Sequence, residues 1–119
     1  MESDRIERAG LVAAVEQAAD GIVITDTDGK IQYVNPAFTA MTGYSSEEAV
    51  GQYPRILKSG REPVAFYEEL WNTIRSGRIW HGELVNRRKD GTFYNEEMQI
   101  SPVRVPNGEI SSYIAVARR

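Results

Sequence analysis

The sequence contains no cysteine. A disulfide framework, a thiolate metal site and a cysteine nucleophile are therefore excluded together. Histidine occurs once, at His81, so a nucleophile–base pair has little to be built from. No glycine-rich phosphate loop is present. No apolar run approaches the roughly 18 residues that span a bilayer. The opening "MESDRIERAG" has no apolar centre, so it does not read as a signal peptide. These absences lead to the expectation of a cytoplasmic protein with no direct membrane contact. Positive charge is in short supply: 14 Lys and Arg against 17 Asp and Glu, a net charge of -3. That argues against a nucleic-acid surface, which needs a basic face.

What is present fits one globular domain. The chain has 119 residues, 41% of them apolar and 26% charged, enough to bury a core. Residues 4 to about 19 carry Ile6, Leu11, Val12, Val15 and Ala19 at roughly helical spacing. That stripe is narrow, more a pairing seam than a core face. "GIVITDTDGKIQYVN" reads as a hairpin about a two-residue Asp28-Gly29 turn. In "NPAFTAMTG", Asn35 caps a helix, Pro36 opens it and Gly43 stops it. Ser45 and Glu48 have capping-box spacing. Pro54 makes the following "QYPRILKSG" irregular. "REPVAFYEELWNTIRSG" is a longer helix between Pro63 and Gly77, with Phe66, Tyr67, Leu70, Trp71 and Ile74 as its apolar stripe. Three strands follow, joined at Asp90-Gly91 and Asn107-Gly108. In the last strand Ile110, Ile114 and Val116 share one face, and Tyr113, Ala115 and Ala117 the other.

The stretch "WHGELVNRRKDGTFYNEEMQISPV" poses a chemical question. Alternation puts Trp80, Gly82, Leu84 and Asn86 on one face of its first strand. Tyr94, Glu96, Met98 and Ile100 share one face of its second. An amide and a carboxylate thus fall on an apolar side, where an unpaired amide costs about 1–3 kcal/mol and an unpaired carboxylate more. Two readings stand for each. Asn86 either answers a ligand or bonds nearby backbone at a strand end. Glu96 either faces a ligand or is turned to solvent by a bulge. Trp71 is a ligand wall or plain core; Trp80 reads as a rim or interface residue. "RRK" at 87–89 reads as a solvated turn tip, and "DTDG" as a turn rather than a calcium loop.

Together these elements make an α+β domain: an antiparallel sheet with helices packed on one face and an amphipathic N-terminal helix. The runs "GIVITDTDGKIQYVNPAFTAMTGYSSEEAVGQ" and "LVNRRKDGTFYNEEMQISPVRVPNGEISSYIAVARR" resemble the PAS family. The resemblance covers about residues 15 to 118 and implies a five-stranded antiparallel sheet with helices around a central pocket. Residues 1–19 would form a dimerisation or linker helix and 20–119 the PAS sensor domain. "GQYPRILKSG" and "LWNTIRSGRIWHGELVNRRKDG" look most like flavin-binding PAS domains of the NifL redox-sensor type, which hold FAD non-covalently. By motif position that resemblance places Trp71 and Asn86 at the flavin; Glu96 and Leu84, which alternation puts on the same side, and Ile56 and Met98 are the further candidate pocket residues. The group's third polar residue, a glutamate, falls here on Pro54. The related LOV branch places a photoreactive cysteine at the same position, and its second pocket asparagine falls on Glu96. Without cysteine, adduct chemistry cannot occur. Haem is not expected, because haem-binding members carry their axial histidine on the long helix and this one has none, and no metal is expected. The resemblance implies a non-enzymatic sensory module that reports redox state to an effector domain such as a histidine kinase or a cyclic-dinucleotide enzyme. It also implies a homodimer through the N-terminal helix and the outer sheet face. A cofactor-free dimerisation module, or a sensor of a small colourless metabolite, is the alternative.

Overall fold

The computed structural model describes residues 2–119, with side chains of the opening helix described from Ala9 onward; Ile6 of the expected seam lies outside the described side chains. The chain forms α1 (Glu2–Gln17), β1 (Gly21–Thr25), β2 (Ile31–Val34), α2 (Pro36–Thr42), α3 (Ser46–Ala49), a 3-10 helix (Pro54–Leu57), α4 (Val64–Arg75), β3 (Trp80–Arg87), β4 (Phe93–Arg104) and β5 (Ile110–Arg118). The strands make one antiparallel sheet in the order β2-β1-β5-β4-β3.

Local chemistry accounts for most boundaries. The Asn35 side chain accepts from Phe38 N–H, Pro36 opens α2, and Gly43 closes it in the left-handed region at φ 83°. Ser45 and Glu48 form the expected capping box on α3. Pro54 opens a 3-10 helix rather than leaving irregular chain. The three hairpin turns differ from the two-residue expectation. In each, the glycine N–H bonds back three residues, to Asp26, Arg88 and Val105 in turn, and those residues also pair with Lys30, Thr92 and Glu109. Each loop is therefore three residues long and ends on a glycine with φ of 91–93°. That is a type I turn followed by a left-handed residue, which accommodates the strand twist.

Leu70 and Ile74 of α4 pack on Trp80, Leu84, Ile100 and Tyr113 of the sheet. A second cluster joins Ile31, Val34, Phe38, Ala49 and Leu57 beside the short helices. Full burial of one such aliphatic side chain contributes roughly 2 kcal/mol. Trp80 is core, not rim. Its ring lies over Gly82, where an added Cβ would come within 2.5 Å of it, and it meets Phe66 edge-on at 5.4 Å. Ile110 also departs from the alternation. Ser112 pairs with Val103 but Ile110 with Arg104, so an extra residue bulges the strand. The bulge turns Ile110 onto the inner cluster with Tyr113. The "RRK" turn is docked rather than free: Arg88 Nε donates to Met41 O at 3.0 Å, Lys89 N to Thr42 O at 2.9 Å, and Lys89 pairs with Glu48.

Candidate functional site

The site begins with strand register. β3 and β4 pair continuously, Leu84 opposite Glu96 and Asn86 opposite Tyr94. No bulge intervenes, so Glu96 stays on the inner face and is only 4% exposed, as is Asn86. The two polar groups are diagonal neighbours across the ladder. Asn86 Nδ2 donates to Glu96 Oε1 at 2.6 Å. The asparagine thus answers the carboxyl instead of bonding nearby backbone. Burial pushes the Glu96 carboxyl up to about 7, against the opposing influence of Asn86 and Tyr94.

Three further polar atoms border this pair. The hydroxyls of Tyr94 and Tyr67 and Oε1 of Glu62 are buried without a hydrogen-bond partner. Burial also pushes both phenols up, helped by Glu96 at Tyr94 and by Glu62 at Tyr67. Buried polar atoms without a hydrogen bond are uncommon in folded proteins, and here Tyr67 faces Glu62 while Tyr94 faces Asn86 and Glu96. Glu62 comes from the loop before α4. Its Oε2 accepts from Val85 N–H at 3.1 Å, and Lys58 bridges the backbone of Asn86. The segment 58–62 therefore folds back against the end of β3.

A groove of about 540 Å³ opens between the 58–62 segment and α4, lined among others by Lys58, Glu62, Tyr67, Trp71 and Arg75; it shares Glu62 and Tyr67 with this region but is not lined by Asn86 or Glu96. That volume lies within the range of small-molecule sites, roughly 300–1,000 Å³. Lys58 Nζ sits 4.0 Å from the Tyr67 ring centre and the Arg75 guanidinium 4.8 Å from that of Trp71.

Asn86, Glu96 and Leu84 are immediate neighbours on the inner face. Trp71 lines the groove, meets Tyr113 edge-on at 6.1 Å, and covers the Gly29 turn. Met98 is half-buried against the sheet–helix cluster. Ile56 packs with the other cluster, beside Leu57 and Phe38. Pro54, where the resemblance places a third polar group, is exposed. His81 is exposed on the face opposite Trp80. Alternation along β4 places Tyr94 inside, as the structure does. Glu62 carried no periodic signal, since a loop residue acquires its partner only when the loop folds back. Among the described residues, no group of three or more His, Cys, Asp or Glu side chains could hold a metal ion. Among them, too, no helix is long and apolar enough to cross a membrane.

Comparison with known proteins adds a second line. The family model described as the PAS fold matches residues 10–119. The nitrogen fixation regulatory protein of Klebsiella oxytoca is 42% identical over 104 residues, which cover 87% of this chain and 21% of that protein. The chain thus spans about a fifth of that relative's length. An RNA-binding light-oxygen-voltage receptor superposes with a TM-score of 0.91 at 26% identity, over 97% of this chain and 33% of the receptor. A structure described as "Flavin Analogue Sheds Light on Light-Oxygen-Voltage Domain Mechanism" gives 0.82 at 27% identity, over 92% of this chain and 83% of the other.

Proposed function

The chain belongs to the PAS family, and we propose that it is a cytoplasmic sensory module that binds FAD between α4 and the inner sheet face and reports redox state. The carrying observation is the buried Asn86–Glu96 pair, bordered by the unpartnered Tyr94, Tyr67 and Glu62 atoms. The donor set suits a heteroaromatic edge with both donors and acceptors. An amide offers either kind, a phenol can donate or accept, and a neutral carboxyl can donate. The similarity to a light-oxygen-voltage domain described with a flavin analogue supports the same reading.

A bound flavin supplies reversible electron uptake, which changes the donor and acceptor pattern at its ring edge. The chain's own residues would read that change. Asn86 would hold the ring edge with the amide atoms not given to Glu96. Glu96 would keep or release its proton beside it, and Trp71 and Leu84 would serve as apolar walls. Residues 1–19 would act as a linker and pairing helix ahead of the sensor domain 20–119. Leu11 and Val12 are 67% and 61% exposed, and Ile22, Ile24, Ile114 and Val116 are half-buried on the outer face of the sheet. A homodimer would cover these groups. Output would lie in an effector domain such as a histidine kinase, and this domain would perform no catalysis.

One observation favours a second reading, a cofactor-free interaction module. The Trp80 ring fills the inner face over Gly82, packed on Phe66, in space that a ligand would otherwise use. A visible absorption spectrum of the purified protein, with the released ligand weighed by mass spectrometry, separates the two. A flavin band yielding FAD is the expected result; a colourless protein that takes up no added FAD would overturn the flavin reading.

A further inference from the structure

The geometry points to Asn35 as the joint that couples the N-terminal helix to the sensor core. Asn35 is 1% exposed and stands between β2 and α2. Its Oδ1 accepts from Ile22 N–H at 2.8 Å and Phe38 N–H at 3.1 Å. Its Nδ2 donates to Val15 O and Asp20 O, each at 3.0 Å. Two N–H groups and two acceptances use the full capacity of one amide. One side chain therefore spans the last turn of α1, the link to β1, the start of β1 and the first turn of α2.

These four bonds divide by purpose. Capping α2 needs only the oxygen, and an aspartate or serine would cap as well. The two donations do nothing for the cap. They reach two carbonyls beyond the cap: Val15 O in the last turn of α1, which otherwise accepts only a long 3.4 Å bond from Ala18 N–H, and Asp20 O in the link after it. Among the described residues, the other side-chain ties of this region are exposed. Tyr33 OH donates to Glu16 Oε1 at 2.8 Å, and Arg118 pairs with Asp20 at 3.1 Å; surface contacts of this kind hold little. Leu11 and Val12 are exposed and, among the described side chains of α1, only Val15 is half-buried, so apolar burial contributes little to anchoring it. Among the described residues, the Asn35 amide is the tie that is both shielded from water and doubly bonded.

A shift of β1 or of the α2 start therefore moves acceptors and donors on both sides of one rigid planar group. The register of α1 follows, without a path across the outer sheet face. The signal that moves the core rests on the reading given above; the joint itself does not, and its test needs no ligand.

Asn35→Asp keeps the capping oxygen and removes both donations. Asn35→Ser also supplies a capping oxygen without adding charge, and its one short O–H cannot make both donations. Hydrogen exchange of the whole chain is measured over 9–20 and over 36–42. Both variants are expected to speed exchange in 9–20 by about tenfold or more, the scale of two lost hydrogen bonds, and to leave 36–42 unchanged. Asn35→Ala is expected to speed both segments. Native exchange in 9–20 for Asn35→Asp and Asn35→Ser would overturn the proposal. So would equal loosening of both segments, or failure of both variants to fold, because Asn35 would then be a general core residue.

Discussion

Asn86 Nδ2 lies 2.6 Å from Glu96 Oε1, and both residues are almost fully buried on adjacent strands. The carboxyl has one close donor and no cation within ion-pairing distance among the described residues. Such a group is more stable neutral than charged. Its protonation state, and with it the hydrogen-bond pattern of the site, changes near neutral pH.

Glu96 should therefore make stability depend on pH in an unusual direction. Its carboxyl is raised from 4.5 to about 7 in the fold, so the native state holds a proton that the unfolded chain has already released. The favourable contribution is complete below about 4.5 and is lost as pH rises through about 7. The loss is on the order of 3 kcal/mol. Glu96→Gln should flatten this slope and raise the urea midpoint at about pH 8. An unchanged slope in the variant would mean that Glu96 is not the titrating group.

Asn86→Ala removes the donor to the carboxyl. The cost should be about 1–3 kcal/mol at about pH 8, where the carboxylate needs it. It should be smaller at about pH 5, where the group is neutral. If the purified protein carries flavin, the same variant should disturb the redox response more than the melting temperature. Equal losses of fold and cofactor would make Asn86 a structural residue only.

Gly29 tests the placement of Trp71. It sits at φ 93°, and an added Cβ would lie 2.8 Å from the indole. Gly91 has φ 91° in the same kind of turn, with nothing within 4 Å. Alanine at 91 should cost about 1–2 kcal/mol for the backbone alone. Alanine at 29 should cost that and more, and should shift tryptophan fluorescence. Equal melting curves would show that the indole does not cover the turn.

The exposed groups on α1 should drive pairing. Leu11→Glu, or Val15→Glu within the expected seam, should shift the protein from dimer to monomer in light scattering while the far-ultraviolet circular dichroism stays native. A monomeric wild type at the same concentration would remove this interface.

Much of the fold was legible in the chain. The Asn35–Pro36 and Ser45–Glu48 caps, the glycine stops and the two-residue alternation of β3 and β4 are local effects. They depend on neighbours within a few residues, so the sequence alone carries them. The inward placement of Asn86 and Glu96 followed from the same counting. Tertiary structure decided the rest. A bulge that reverses Ile110 depends on the pairing of β4 with β5. Trp80 became core because Gly82 and Phe66 leave room for its ring. Glu62 acquired Val85, and Asn35 acquired Val15 and Asp20, across 23, 20 and 15 residues of chain. Contacts at that separation form only when the whole sheet closes, and no periodicity in the sequence encodes them.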